Sequence, residues 1–144
     1  MKNDNVFLGG TWNNSQWREL LIKKLKIPYF NPIVDDWNED AQKEEENQRK
    51  NAKFVLFVIT PLMTGVFSIA EVVDCSNKRP KSTLLCILKK DNKKEFDKSQ
   101  LKSLDQVKKM VQDNGAEIFD NLSDVADFLN NQGQKDRAKK LAGL

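Results

Sequence analysis

The 144-residue chain contains no histidine. Ser-His-Asp and Cys-His catalytic arrangements are therefore excluded, as are zinc sites built on imidazole. Cysteine is almost as scarce. Cys75 and Cys86 follow no CxxC or other metal-ligand spacing, and Cys86 lies inside TLLCIL, where a thiol behaves as a small buried hydrophobe. Neither a metal nor another cofactor is expected from these residues. No apolar run approaches the length of a membrane span, and MKNDNVFLGG lacks the long apolar stretch of a signal peptide. The expectation is a cytoplasmic protein without a membrane partner. Charge of either sign is also lacking in excess. With 24 basic and 21 acidic residues, net +3, and lysines spread among Asp and Glu, nothing argues for nucleic acid as a partner. What remains, 39% hydrophobic and 31% charged, reads as one soluble globular domain over residues 1–132 with a polar tail, 133–144.

The hydrophobic pattern alternates short apolar runs with helical periodicity. NVFLGG (5–10) reads as a buried strand stopped by two glycines, and SQWRELLIKKLK as a helix with Trp17, Leu20, Leu21 and Leu25 at helical spacing and Ser15 as its N-cap. PYFNP (28–32) reads as a short strand, residues 38–51 as a helix poor in apolar residues, and FVLFVITP (54–61) as the central strand, apolar on both faces. FSIAEVVDCS is a helix whose Ile69, Val72 and Val73 pack on the sheet; STLLCILK (82–89) is a strand. A helix with Leu101, Leu104, Val107 and Val111 ends at Gly115, followed by the strand AEIFD and the helix LSDVADFLNNQ, with Ser123 near its start. The tail GQKDRAKKLAGL reads as frayed or weakly helical. Strands alternating with helices predict an α/β fold, a flavodoxin-like doubly wound five-stranded parallel sheet of order 2-1-3-4-5. In such sheets ligands sit beyond the carboxyl ends of the strands, where the strand order reverses, here between the first and third strands.

Three loops meet there: GGTWNNS, FNPIVDDWNED and TPLMTGVFSIAE. Gly9 and Gly10 permit close backbone approach and Thr11 adds a hydroxyl, although the same residues suit a plain strand-to-helix turn and form no GxGxxG or P-loop. Trp12 and Trp37 can stack on a flat ring or lid the sheet edge, and Asp35 or Asp36 can cap the next helix. Glu71 raises the sharper question, because it is a carboxylate at the end of an otherwise apolar, small or hydroxylated run. One turn into a helix that starts near Phe67, its side chain points back toward the strand ends and the positive pole of the helix dipole. Such a glutamate is either plain helix surface or a cleft carboxylate kept for chemistry.

Taken in order, VFLGGTW…WR, FNP…DDW and NAKFVLFVITP…FSIAE resemble the nucleoside 2-deoxyribosyltransferase family, most of all its compact branch, over about residues 5–90. Members of that branch read roughly FLAGT, FNPRRDDW, ADVILF and S-x-x-E in these places. The resemblance implies that Glu71 attacks the anomeric carbon of a nucleoside. Counting back from Ala52 along the acidic helix, it implies Glu45 as the second catalytic carboxylate. It places Gly9, Gly10 and Thr11 beside sugar and base, with Trp12, Asn31, Asp36 and Trp37 lining the pocket and Ser68 in hydrogen-bond reach of the nucleophile. Gly65 stands where better-studied members carry an Asp that serves the base, an acid that the compact branch often lacks. The resemblance further implies a small-molecule nucleoside or nucleotide substrate and a homo-oligomer.

The chemistry agrees with the residues. Cleavage of an N-glycosidic bond passes through an oxocarbenium-like state, for which a carboxylate serves as nucleophile or stabiliser, while a second, partly protonated acid supplies the leaving base with a proton or a hydrogen bond. A non-catalytic nucleotide-sensing module using the same cleft is the alternative expectation. A TIR-like NAD-cleaving domain is a third, against which the GGTW and FNP…DDW loops argue. The acidic helix 38–51 can also be read as a partner-binding face.

Overall fold

The structure, a computed structural model, describes residues 3–12 and 14–143. Among the described residues, seven strands and five α-helices follow in the order β1 (Val6–Gly10), α1 (Trp17–Ile22), β2 (Tyr29–Phe30), α2 (Glu39–Asn51), β3 (Phe54–Ile59), α3 (Phe67–Lys78), β4 (Thr83–Ile87), β5 (Lys90–Asp91), β6 (Lys94–Glu95), α4 (Lys98–Asp113), β7 (Glu117–Phe119) and α5 (Leu122–Leu141). Five strands form one parallel sheet in the order β2-β1-β3-β4-β7, and β5–β6 is a separate antiparallel hairpin. This is the expected flavodoxin-like arrangement, since β7 is the fifth strand of the sheet. Val6 lies opposite Phe54 and Gly10 opposite Val58, so β1 and β3 run side by side at the centre.

The period-two alternation of these strands divides the core. Val6, Leu8, Leu56, Val58, Leu84 and Cys86 face Trp17 and Leu21 of α1 and Val125, Ala126 and Leu129 of α5. Phe7, Val55, Phe57, Ile59, Leu85 and Ile87 face Val72 of α3 and Leu104 and Val111 of α4. Burial pushes the Cys86 thiol up to about 12, leaving it an inert core residue.

The local differences from the sequence reading have physical causes. β1 does not stop at the glycines; it pairs through both of them with Phe57 and Val58. α1 is shorter than its periodicity predicts. Leu20 is exposed, and Ser15 does not cap the helix through a short bond; its hydroxyl donates to Asp91 at 2.5 Å. Neither Asp35 nor Asp36 caps α2, because Asn38 takes that place and accepts the Ala41 N–H at 2.8 Å. Asn121 caps α5, its side chain accepting the Asp124 N–H at 2.8 Å, and Ser123 lies in the first turn. That helix continues to Leu141, through the tail, where Asp136 pairs with Lys53. Among the described residues no helix is long and apolar enough to cross a membrane.

Candidate active site

The wall of the site formed by β1 is built around a buried arginine. β2 covers only Val6 and Phe7, so the carbonyls farther along β1 need other donors. Arg18, 2% exposed, supplies them: Nε donates to Leu8 O at 3.0 Å, and the terminal nitrogens donate to Thr11 O at 2.6 Å and Gly10 O at 3.3 Å. The Trp17 indole N–H adds a second bond to Thr11 O at 2.8 Å. Burial lowers the Arg18 guanidinium to about 10, which leaves it charged at neutral pH. On the other side, the Thr11 N–H reaches Val58 O at 2.9 Å, and Thr11 Oγ1 accepts the Thr60 N–H at 3.0 Å. The turn after Gly10 is thus fixed from both sides.

The facing wall comes from α2 and α3. α2 has no buried residue, and it is held as a helix by its Asn38 cap, by Glu39 and Asp40 in the first turn, and by Arg49 and Lys50 in the last. Its carboxyl end is tied to α3 by Arg79, whose guanidinium donates to Arg49 O at 3.0 Å and to Ala52 O. Glu45 and Arg49, one turn apart, therefore project toward Glu71 on α3. These three residues line one cavity of about 100 Å³ together with Gly9, Gly10, Trp12 and Ser68. Arg49 donates a hydrogen bond to Glu71 Oε2, and the two form an ion pair. Gly10, Trp12 and Ser68 also border an adjoining space of about 210 Å³. On its other side the cavity meets an open groove of about 620 Å³ between α2 and α3, with which it shares Arg49, Phe57 and Glu71.

The pKa of both carboxyl groups is raised from its ordinary value. For Glu71, burial raises the pKa against the opposing charge and hydrogen bond of Arg49. For Glu45, burial again leads, opposed by Arg49 and Arg18 and reinforced by the negative charges of Glu71 and Glu46. A carboxyl group whose folded pKa is raised favours the folded state while protonated, and this advantage is lost as pH rises from the unfolded pKa through the folded one. Glu45→Gln is accordingly expected to raise the urea midpoint at pH 7 relative to wild type. The gain should vanish below the ordinary glutamate pKa, where wild type is protonated in both states. Chemical denaturation at the two pH values checks this; an equal or lower midpoint at pH 7 would contradict the burial argument.

Of the residues singled out in the sequence, Glu45, Glu71, Gly9, Gly10, Trp12 and Ser68 come together around the one cavity, and Thr11 and Gly65 line the adjoining space. Trp37 reaches this region through Trp12, edge to face at a centroid distance of 6.0 Å, and stays half exposed. Asn31 and Asp36 do not line the cavity among the described residues. Asn31 Oδ1 is turned onto the Ile33 N–H at 3.2 Å, and Asp36 is exposed in the loop that follows. The hydrogen bond to Glu71 comes from Arg49 rather than from Ser68. Sequence reasoning passed over Arg49 and Arg18. The first carried a readable signal, since it lies four residues after Glu45 and so on the same face of α2. The second carried none, because its partners are backbone carbonyls.

A family model described as nucleoside 2-deoxyribosyltransferase like matches residues 3–90, more than half of the chain and all of the residues that line the cavity. A search of curated proteins gives no match.

Proposed function

The chain belongs to the nucleoside 2-deoxyribosyltransferase-like family, and from that premise we propose that it cleaves the N-glycosidic bond of a (deoxy)nucleoside or nucleotide and passes the sugar to another base or to water. The observation that carries this reading is the pairing of Glu45 and Glu71, from separate helices, around one small cavity walled by the Gly9–Gly10 backbone. In the first half of the reaction a Glu71 oxygen bonds to the anomeric carbon. The carbon–nitrogen bond breaks with its electron pair going to the base, and Glu45 delivers a proton to that base. In the second half a base nitrogen or a water attacks the same carbon, the ester to Glu71 breaks, and the proton of the acceptor returns to Glu45. The upward direction of the Glu45 pKa, set first by burial, supports its part, because it favours the protonated form that a donor to the base needs. The glycine backbone, without side chains, gives the sugar room to approach, and Trp12 and Trp37 offer faces to the base.

Incubation with a panel of deoxynucleosides, ribonucleosides and their 5′-monophosphates, with and without a free acceptor base, tests the reading by chromatography of released base. Base release from at least one member is expected, and comparison of the two arms separates transfer from hydrolysis. Saturable binding with no release across the panel would replace catalysis by a nucleotide-sensing module in the same cleft.

A further inference from the structure

Arg49 reaches the cavity from the same helix as Glu45 but spends its hydrogen bond on Glu71. Its own carbonyl is held by Arg79 from the end of α3, so the backbone of α2 at Arg49 is anchored to the helix that carries its carboxylate partner. We propose that Arg49 is a positioning residue that assigns the two carboxylates their roles, holding Glu71 as the anionic nucleophile and leaving Glu45 to carry the proton. This rests on the reading of Glu71 and Glu45 under Proposed function.

The surrounding charges support the division. Glu45 is opposed by Arg49 and Arg18, from α2 and α1, but also feels the negative charges of Glu71 and Glu46. For Glu71 burial leads and raises the pKa, and the Arg49 charge and hydrogen bond together oppose it. The other charged groups that line the groove beside Glu71 are Glu46 and Lys50 from α2 and Asp74, Lys78 and Arg79 at the α3 side. A hydrogen bond acts at contact range, so it separates two carboxyls that share the same background. The arrangement also follows the charge through the reaction. When Glu71 becomes an ester and Glu45 gives up its proton, the negative charge moves from one carboxylate to the other. Arg49, one helical turn from Glu45, remains beside it in both halves.

The test titrates both side chains by carbon NMR of glutamate-labelled protein, with signals assigned from Glu45→Gln and Glu71→Gln. The expected result is that Arg49→Met raises the Glu71 titration more than that of Glu45, and that Arg49→Lys restores most of the separation. In base release, the acid limb of the pH profile should move up with the Glu71 titration, each pKa unit removing about tenfold of the rate on that limb. Circular dichroism identifies a variant that has failed to fold, and Arg49→Lys keeps the comparison open in that case. An unchanged Glu71 titration in folded Arg49→Met, or a larger rise at Glu45, would overturn the assignment. If wild type releases no base from any substrate, the glycosidic reading fails, while the titration of the free protein still decides whether Arg49 keeps Glu71 ionised.

Discussion

Replacing Glu71 with Gln is expected to abolish base release while leaving the chain folded. Gln keeps the length of the side chain and can still accept a hydrogen bond from Arg49, but it cannot form the ester to the anomeric carbon. Loss of a covalent nucleophile costs on the order of 10⁴-fold or more in turnover, whereas a lost hydrogen bond costs about 1–3 kcal/mol, roughly ten- to a hundredfold. The size of the defect therefore separates a nucleophile from a binding contact. Stability should not fall, because Glu71 lines a cavity rather than the core and its partner Arg49 is a third exposed and can turn to water. By the same burial argument as for Glu45, the midpoint at pH 7 should rise, since burial raises the Glu71 pKa despite Arg49. Rates and denaturation midpoints of wild type and Glu71→Gln check both halves. A variant that retains more than about a tenth of the wild-type rate would remove Glu71 from the role of nucleophile.

The second large effect is expected at Gly10, and it concerns the fold. Gly10 has φ +116°, outside the range that side chains readily adopt, and a Cβ there would stand 2.1 Å from Val58 O and 2.6 Å from Val58 N. Both atoms are backbone of the central strand β3, so no side chain can rotate out of the way. Backbone strain of about 1–3 kcal/mol and an overpacking cost of similar size predict that Gly10→Ala loses about 3 kcal/mol or more. A domain of ordinary stability holds only about 5–15 kcal/mol, so much of the protein should be lost to aggregation or to a lowered urea midpoint. Gly65 provides the control. A Cβ at that position meets nothing within 4 Å, and Gly65→Ala should match wild type within about 0.5 kcal/mol. Equal midpoints for the two variants would mean that β1 does not approach β3 as described.

The sheet was legible because its strands are short, apolar on both faces and separated by helices of clear periodicity, which leaves few parallel arrangements open. Glu71 was legible for a related reason: its distance from Phe67, the first helical residue, sets the direction of its side chain. The pairing of β1 through Gly9 and Gly10 was not legible, since glycines at the end of an apolar run read as a stop and only β3 makes them a strand. Asn31, Asp36 and Trp37 lie in one loop whose path depends on distant contacts. There the Asn31 side chain folds back on its own backbone, and Asp36 yields the helix cap to Asn38. Arg18 illustrates the same limit, because the carbonyls it satisfies are left open only by the shortness of β2. The length of α5 was obscured by a polar composition that carries no inward face over its last turns.

The measurement that bears most directly on the account is peptide mapping by mass spectrometry, after wild-type protein is mixed with a turned-over deoxynucleoside, without acceptor base, and acid-quenched within the first turnover. The account predicts a pentosyl increment on the peptide that contains Glu71, at Glu71 itself, matched by release of an equivalent of base. Base release with the increment on another side chain, or with Glu71 unmodified throughout that turnover, would contradict it.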